Sequence, residues 1–439
     1  MLASAAIRAY VRRPATAQVA RGAILALACA LMAWRAPLLL RQPRIWAEEG
    51  TVYLAYAFAN PAWKALVAPH QGYYHLYANL ATLVALLVPM RQAALVTTLL
   101  AFAAQALPLA VVLWGRSRLW PSLPRQLLVV MVILLTPSSG ECCLNTINSQ
   151  FYLALTAALL LVEEPPRSAA RRWIHRAILG LAVLSGPVTA FLAPLYVARA
   201  LARRDEPEAS TQAWLVVAGA MLQAGIALAA LETPDAGPLR FAGITPTSLL
   251  AVVWNRVVMV PLTSMRGGRA MAGLLLGLRD AGHAAPLGWA LLAALAGLGL
   301  FLCRKRPPEQ RYLALGALLL ALLSTISALA GPGETKWALI HPGTAIRYYY
   351  APSTLLMLAL SARITWQRRA WRRLGSLLAA VALALSLALG AMDYRALMEP
   401  FVSADWPVWA EQVAIWETRP GHRLLIWPPP WEMTLVRWD

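Results

Sequence analysis

Four groups of residues in this chain have the types and spacing to do chemistry. The first is Trp46-Ala47-Glu48-Glu49-Gly50, a carboxylate pair just after the first long apolar segment. Adjacent acids beside a hydrocarbon region cost free energy unless a partner or water meets them, which makes them functional candidates. The second is Pro69-His70-Gln71-Gly72-Tyr73-Tyr74-His75, and the third is Pro137-Ser138-Ser139-Gly140-Glu141 followed by Asn145, Asn148 and Gln150. The fourth is Lys336, His341 and Arg347-Tyr348-Tyr349-Tyr350. Acid, amides, cations and aromatic faces together fit acid–base chemistry at a membrane face.

The elements that must hold these groups are set by composition. The chain is 59% hydrophobic and 13% charged, with a mean hydropathy of +0.57. Its repeated apolar stretches have the length of about 20 residues that spans a bilayer. This predicts an all-α polytopic membrane protein, a bundle of about 9 to 12 transmembrane helices. The net charge of +19 does not indicate a nucleic-acid partner, because the arginines fall in short clusters between apolar segments, as in cytoplasmic loops. Cys29, Cys142, Cys143 and Cys303 have no metal-ligand spacing. Arg8, Arg12, Arg13 and Arg21 before the apolar run Gly22 to Trp34 could pass for a secretory signal. We read them as an uncleaved anchor, because the acidic loop follows directly.

The positive-inside rule places the clusters at 8 to 21, 116 to 125, 167 to 176, 199 to 204, 304 to 311 and 363 to 373 in the cytoplasm. The first crossing, 20 to 38, then runs outward into a long external loop, 41 to 92. Crossings follow at 93 to 114, 126 to 138 and 150 to 163. Parity leaves 72 to 90 as a membrane-dipping helix of that loop. Residues 177 to 198, interrupted by Ser185-Gly186-Pro187 and Pro194, predict a broken hairpin entering from the cytoplasm; a single ordinary crossing there would invert everything after it. Later crossings fall at 211 to 231, 287 to 303, 311 to 330, 350 to 366 and 374 to 392. Arg256, within the apolar stretch Leu249 to Leu262, needs a partner or water and predicts a partly embedded external helix.

Residues 1 to 392 thus form the membrane domain and 393 to 439 a small extracytoplasmic cap. In the cap, Pro407 to Trp416 predicts a short helix with proline in its first turn. Leu424 to Trp427 predicts a short strand. Its tryptophans fit a membrane interface better than a sugar platform.

The order Trp46-x-Glu-Glu-Gly50, Pro69-x-x-Gly-Tyr-x-His75, Ser139-Gly-Glu-x-x-x-Asn145 with Asn148 and Gln150, and Arg347-Tyr-x-Tyr350 resembles the landmarks of bacterial multi-spanning glycosyltransferases of the GT-C superfamily. Ile426-Trp-Pro-Pro-Pro-Trp431 is similar to that family's closing segment. One departure is that the family's loop carboxylates include an aspartate, whereas this chain has Glu-Glu. The resemblance implies a bacterial inner-membrane enzyme whose site faces outward. It would move a sugar from a polyprenyl-phosphate donor to an envelope glycan or lipid acceptor in the bilayer, with inversion.

Under that resemblance Glu48 or Glu49 is the base for the acceptor hydroxyl, with Glu48 preferred and Glu49 left to pair with Arg44 or to cap the helix near Thr51. Arg347, Lys336 and His341 would hold the donor phosphate. His70, Tyr73, His75, Glu141, Asn145, Asn148, Gln150, Tyr348 and Tyr350 would line the substrates. No cofactor is required, and a divalent metal is an option where both loop acids and Glu141 converge.

Each group also has a structural reading. The acids could be a solvated loop pair, the histidines interfacial hydrogen-bonders, the amides helix caps, and the tyrosines an aromatic belt. The rival classes are a lipid-linked sugar flippase or other transporter, which calls for polar residues in the middles of several spans, and a structural envelope subunit.

Overall fold

The computed structural model describes residues 14–231, 244–329, 337–364, 370–401, 406–419 and 421–436. Lys336 lies outside them. The protein is an all-α polytopic membrane protein. Among the described residues, seven helices are long and apolar enough to cross a bilayer. In chain order the helices that position the site are α1 (Pro14–Arg35), α2 (Leu76–Ala85), α3 (Met90–Trp114), α4 (Leu123–Leu135), α5 (Ser149–Leu161), α6 (Ala169–Val183), α7 (Ala193–Ala202) and α8 (Pro207–Leu231). They continue with α9 (Pro246–Val253), α10 (Val260–Asp280), α11 (Ala284–Cys303), α12 (Pro308–Leu329), α13 (Arg347–Arg363), α14 (Ala370–Met392) and α15 (Trp409–Thr418). Their Ala/Leu content favours helix, and prolines in first turns, as at Pro207 and Pro308, start them without losing a backbone bond.

The contacts divide the bundle into two ends. At one, the basic clusters meet. Arg118 pairs with Glu164 at 2.9 Å, Arg176 with Glu208 at 2.6 Å and Arg203 with Glu309 at 3.0 Å. Trp114 Nε1 donates to Gln18 at 2.8 Å, which brings the foot of α1 to the same end. The acidic loop, the 137 to 148 segment, the start of α13 and the tail gather at the other.

Three interruptions shape that second end. Residues 72 to 90 hold only the ten-residue α2, about 15 Å long and short of a bilayer core. A two-stranded hairpin, β1 (Pro69–His70) and β2 (Tyr73–Tyr74), precedes it; its turn residues Gln71 and Gly72 both have positive φ, 53° and 83°, as a two-residue hairpin loop requires. The stretch 177 to 198 does break, at 184 to 187, between α6 and α7. There Leu76 N–H donates to Leu184 O at 2.8 Å and Gly186 N–H to Tyr74 O at 2.9 Å. The break therefore touches the acidic-loop end. Arg199 on α7 returns to the basic end, donating to Leu160 O at 3.2 Å and Glu163 O at 3.0 Å.

The third interruption is at Ser264, with φ 68° and ψ 179°. Asn255 Nδ2 donates to Gly268 O at 2.9 Å, yet thirteen residues of straight helix would hold them about 20 Å apart. The chain folds back at Ser264, inside α10, so the part of α10 after Ser264 returns beside residues 254 to 259, which join α9 to α10. Arg256, in that joining segment, donates to Leu339 O at 3.0 Å and His341 O at 2.5 Å, with its guanidinium 4.2 Å from the Tyr349 ring centre. Those carbonyls are the partners that the sequence demands of an apolar-stretch arginine.

The tail adds α15, then β3 (Leu424–Leu425) paired with β4 (Glu432–Met433). It is bound to the acidic loop by main chain: Trp427 N–H donates to Ile45 O at 2.9 Å, and Ala47 N–H to Trp427 O at 2.5 Å. A Cβ on Gly50 would lie 2.7 Å from Ile426 Cδ1, 2.8 Å from Ile45 Cγ2 and 2.9 Å from Met433 Sδ. Glycine is what lets the loop and tail close on each other. Trp409 Nε1 donates to Met90 O at 2.9 Å, fixing the cap on the head of α3.

Candidate active site

The two loop acids have different surroundings. Glu49 is 1% exposed. Its Oε1 accepts from Thr146 N–H at 2.9 Å and from the Thr146 hydroxyl, and its Oε2 accepts from Trp46 N–H at 3.1 Å. Burial pushes this carboxyl up from its ordinary value, and the bonds from Thr146 and Trp46 pull the other way. Its expected partners, Arg44 or the cap of a helix near Thr51, give way to Thr146, because the turn carrying Glu49 lies against the 141 to 148 segment. Glu48 is half-buried and accepts no hydrogen bond from the described residues. Its charge lies near enough to act on Tyr53, Tyr73 and Arg347.

Tyr53 and Tyr73 form the wall beside Glu48. Tyr53 is 1% exposed, and its ring meets His70 edge-on at 4.8 Å and His75 at 5.9 Å. Burial and neighbouring Tyr348 push the Tyr73 phenol up to about 12, so it is a neutral donor near pH 7. His70, half-buried, also packs edge-on against Tyr56 at 5.0 Å. His75 is fully buried. Its Nδ1 accepts from Ala78 N–H at 3.2 Å, capping α2, and its Nε2 lies 2.9 Å from Ile147 O. Burial lowers its pKa to about 4, so the ring is neutral and donates from Nε2.

Residues 137 to 148 form a loop that is buried throughout, and buried backbone must be paired. The amides supply the pairs. Asn145 Nδ2 donates to Glu141 O at 2.8 Å, Asn148 Nδ2 donates to the same carbonyl at 3.0 Å, and Asn145 Oδ1 accepts from Asn148 N–H at 3.0 Å. Gln150 Nε2 lies 3.4 Å from Ile147 O, and its amide oxygen abuts Gly186. Asn148 stands at the N-cap of α5 without a side-chain capping bond. These three amides brace the loop.

Arg347 starts α13 above this loop. Its guanidinium pairs with Glu141 Oε1, its N–H donates to Glu141 Oε2 at 3.1 Å, and its guanidinium carbon lies 5.2 Å from the Tyr348 ring centre. Arg347 keeps 30% of its side chain exposed. Tyr348 packs on Phe151 at 5.6 Å. Tyr350 turns inward, donating to Ile133 O at 3.1 Å with its ring 4.8 Å from Tyr152. His341 is exposed, and its carbonyl serves Arg256.

The open face of the site is therefore Glu48, Tyr73, His70, Arg347 and Tyr348, on a frame of Glu49, His75, Glu141, Asn145, Asn148 and Gln150. Among the described residues no three His, Cys, Asp or Glu side chains come together as a metal site. The sequence does not mark out Thr146 or Arg35. Thr146 sits inside the amide motif, where only its place beside Asn145 marks it. Arg35 was visible as an arginine at the end of the first span that points away from the basic clusters.

Fold and site together define a polytopic membrane protein with an acid–cation–aromatic cluster at the end opposite its basic clusters. No protein-family model matches this sequence, and no curated protein does. Among solved structures it is similar to the archaeal oligosaccharyltransferase AglB from Archaeoglobus fulgidus in complex with an inhibitory peptide and a dolichol-phosphate, at 13% identity and a TM-score of 0.40. The match covers 91% of this chain and 58% of that one.

Proposed function

We propose that this chain is a membrane glycosyltransferase that moves a sugar from a polyprenyl-phosphate donor to a glycan or lipid acceptor at the outer membrane face. The observation that carries this reading is the contrast between the paired acids: Glu49 is locked to Thr146 and Trp46, which leaves Glu48 without a bonded partner beside Tyr73 and Arg347. A base must reach its proton without first breaking a strong bond of its own. Glu48 is the base for the acceptor hydroxyl. Arg347 holds the leaving phosphate, its fork suited to phosphate oxygens, while Glu141 fixes its orientation. Tyr73, His70 and Tyr348 line the sugar, and attack opposite the phosphate inverts the sugar carbon. His341 and Lys336 are further candidates for the phosphate, and a divalent ion would require both loop acids and Glu141 to converge, which a chelator would test. The outward placement rests on the positive-inside rule, and the bacterial inner membrane on the motif order.

The test is transfer of labelled sugar from a polyprenyl phosphate by the purified full chain. Donor binding without transfer to any supplied acceptor, together with donor movement across liposomes, would replace this reading with the flippase.

A further inference from the structure

Arg35 ends α1 at the loop end of the bundle and is only 6% exposed. Its Nε donates to Tyr394 O at 2.9 Å and its Nη1 to Ser139 Oγ at 2.7 Å, and its guanidinium carbon lies 4.7 Å from the Tyr394 ring centre. Both hydrogen-bond partners are neutral. Among the described residues no carboxylate stands within ion-pair distance of it, in contrast to Arg347 with Glu141. A buried charge without a counter-charge is strongly unfavourable unless an anion joins it.

A small cavity opens beside this guanidinium; the polar residues Arg35, Gln105 and Ser139 and the rings of Tyr152, Tyr350 and Tyr394 are among those that line it. It measures about 20 Å³, room for one oxygen-sized group. Outside it the helix surfaces are apolar and exposed: Leu27 and Trp34 on α1, and Met392 on α14. Met32 and Arg35 of α1 line the cavity, and so does Tyr394, two residues past the end of α14. Tyr350, one turn along α13 from Arg347, forms part of the wall.

We propose that this cavity is a second phosphate site, which takes one oxygen of a lipid phosphate onto Arg35 while the hydrocarbon chain leaves between α1 and α14 into the bilayer. The chemistry is that of a phosphate monoester on an aliphatic chain. The cation supplies the charge, the size admits a single oxygen, and the flanking helices offer the chain a path that a free phosphate would leave empty. The site is separate from the one assigned to Arg347, and it stands or falls without the glycosyl-transfer reading.

The experiment is native mass spectrometry of the full chain with dodecyl phosphate, alongside dodecanol and inorganic phosphate. One equivalent of dodecyl phosphate should persist in Arg347→Gln and weaken at least tenfold in Arg35→Gln. Met32→Trp, which fills the cavity and leaves the charge, should weaken it as much, and this keeps the test open if the arginine variant does not fold. Dodecyl phosphate bound equally well by Arg35→Gln and Met32→Trp overturns the site. Inorganic phosphate competing on equal terms overturns the lipid assignment. Retention in Arg347→Gln with loss in Arg35→Gln supports it, whether or not the protein transfers sugar.

Discussion

Glu49 and Thr146 lie 97 residues apart and are joined twice, through the threonine's N–H and its hydroxyl. The bond ties the acidic loop to the buried 137 to 148 segment. It also removes one of two adjacent acids from reach of a substrate, and the different fates of the pair follow from it.

Glu48→Gln should leave the protein inserted and donor binding intact, yet lower turnover on the order of 10²-fold, the usual contribution of a positioned base. Glu49→Gln should act differently, lowering thermal stability together with activity, and Thr146→Val should reproduce it. Sugar transfer and unfolding temperature measured at matched expression separate the two. Full activity in Glu48→Gln would return this residue to a solvated loop acid, and a response to chelator would bring in a metal.

Arg347→Ala should weaken polyprenyl-phosphate binding far more than acceptor binding, since a charge-assisted pair in a dry site is worth a few kcal/mol. Titration of each substrate separately reads this out. Equal weakening of both would mean that Arg347 serves the fold, through Glu141.

Gly50→Ala should destabilise the protein by about 1–3 kcal/mol, the usual cost of overpacking, because its methyl meets Ile426, Ile45 and Met433. Limited proteolysis should then release the tail before the bundle is cut. An unchanged cleavage pattern would show that the loop and tail can part without consequence.

His75 gives a pH dependence with a defined sign. Its folded pKa, about 4, lies below the ordinary value of 6.5, so the unfolded chain binds the extra proton first. Its contribution to stability is complete above about pH 6.5 and is lost as pH falls towards 4. His75→Asn keeps a capping oxygen for Ala78 and removes the titration. Its unfolding temperature should change less between pH 7 and pH 5 than that of the wild type; parallel profiles would contradict a buried neutral His75.

Cysteines placed at Lys64 and Arg419, both exposed, should react alike with an impermeant reagent in intact cells, because Trp46 and Trp427 bind their two segments together. Labelling of Arg419→Cys only after permeabilisation would overturn the outward placement of the cap.

Much of the bundle is legible in the chain because apolar length and arginine placement are local properties. Ser185-Gly186-Pro187 announces its break, and Arg256 announces its need for carbonyl partners. The site is legible only in part. Glu48, Arg347 and Tyr73 stand out by charge and ring, but Asn145 and Asn148 look like ligand groups and are spent on Glu141 O, since a sequence does not show that a loop will be buried. Thr146 and Trp427 act through pairings across long separations, which leave no periodicity to read. Ser264 hides a reversal inside a stretch that has the composition of one continuous helix.

The pairing of Ile45 and Ala47 with Trp427 also sets an order of events during biosynthesis. The acidic loop emerges early, whereas the residue that clamps it is made after every membrane helix described here. At ordinary translation speeds that interval is roughly tens of seconds. During it the nascent protein can hold its acidic loop through Thr146 but lacks the main-chain clamp of the tail, which closes only after the last membrane helix has been made.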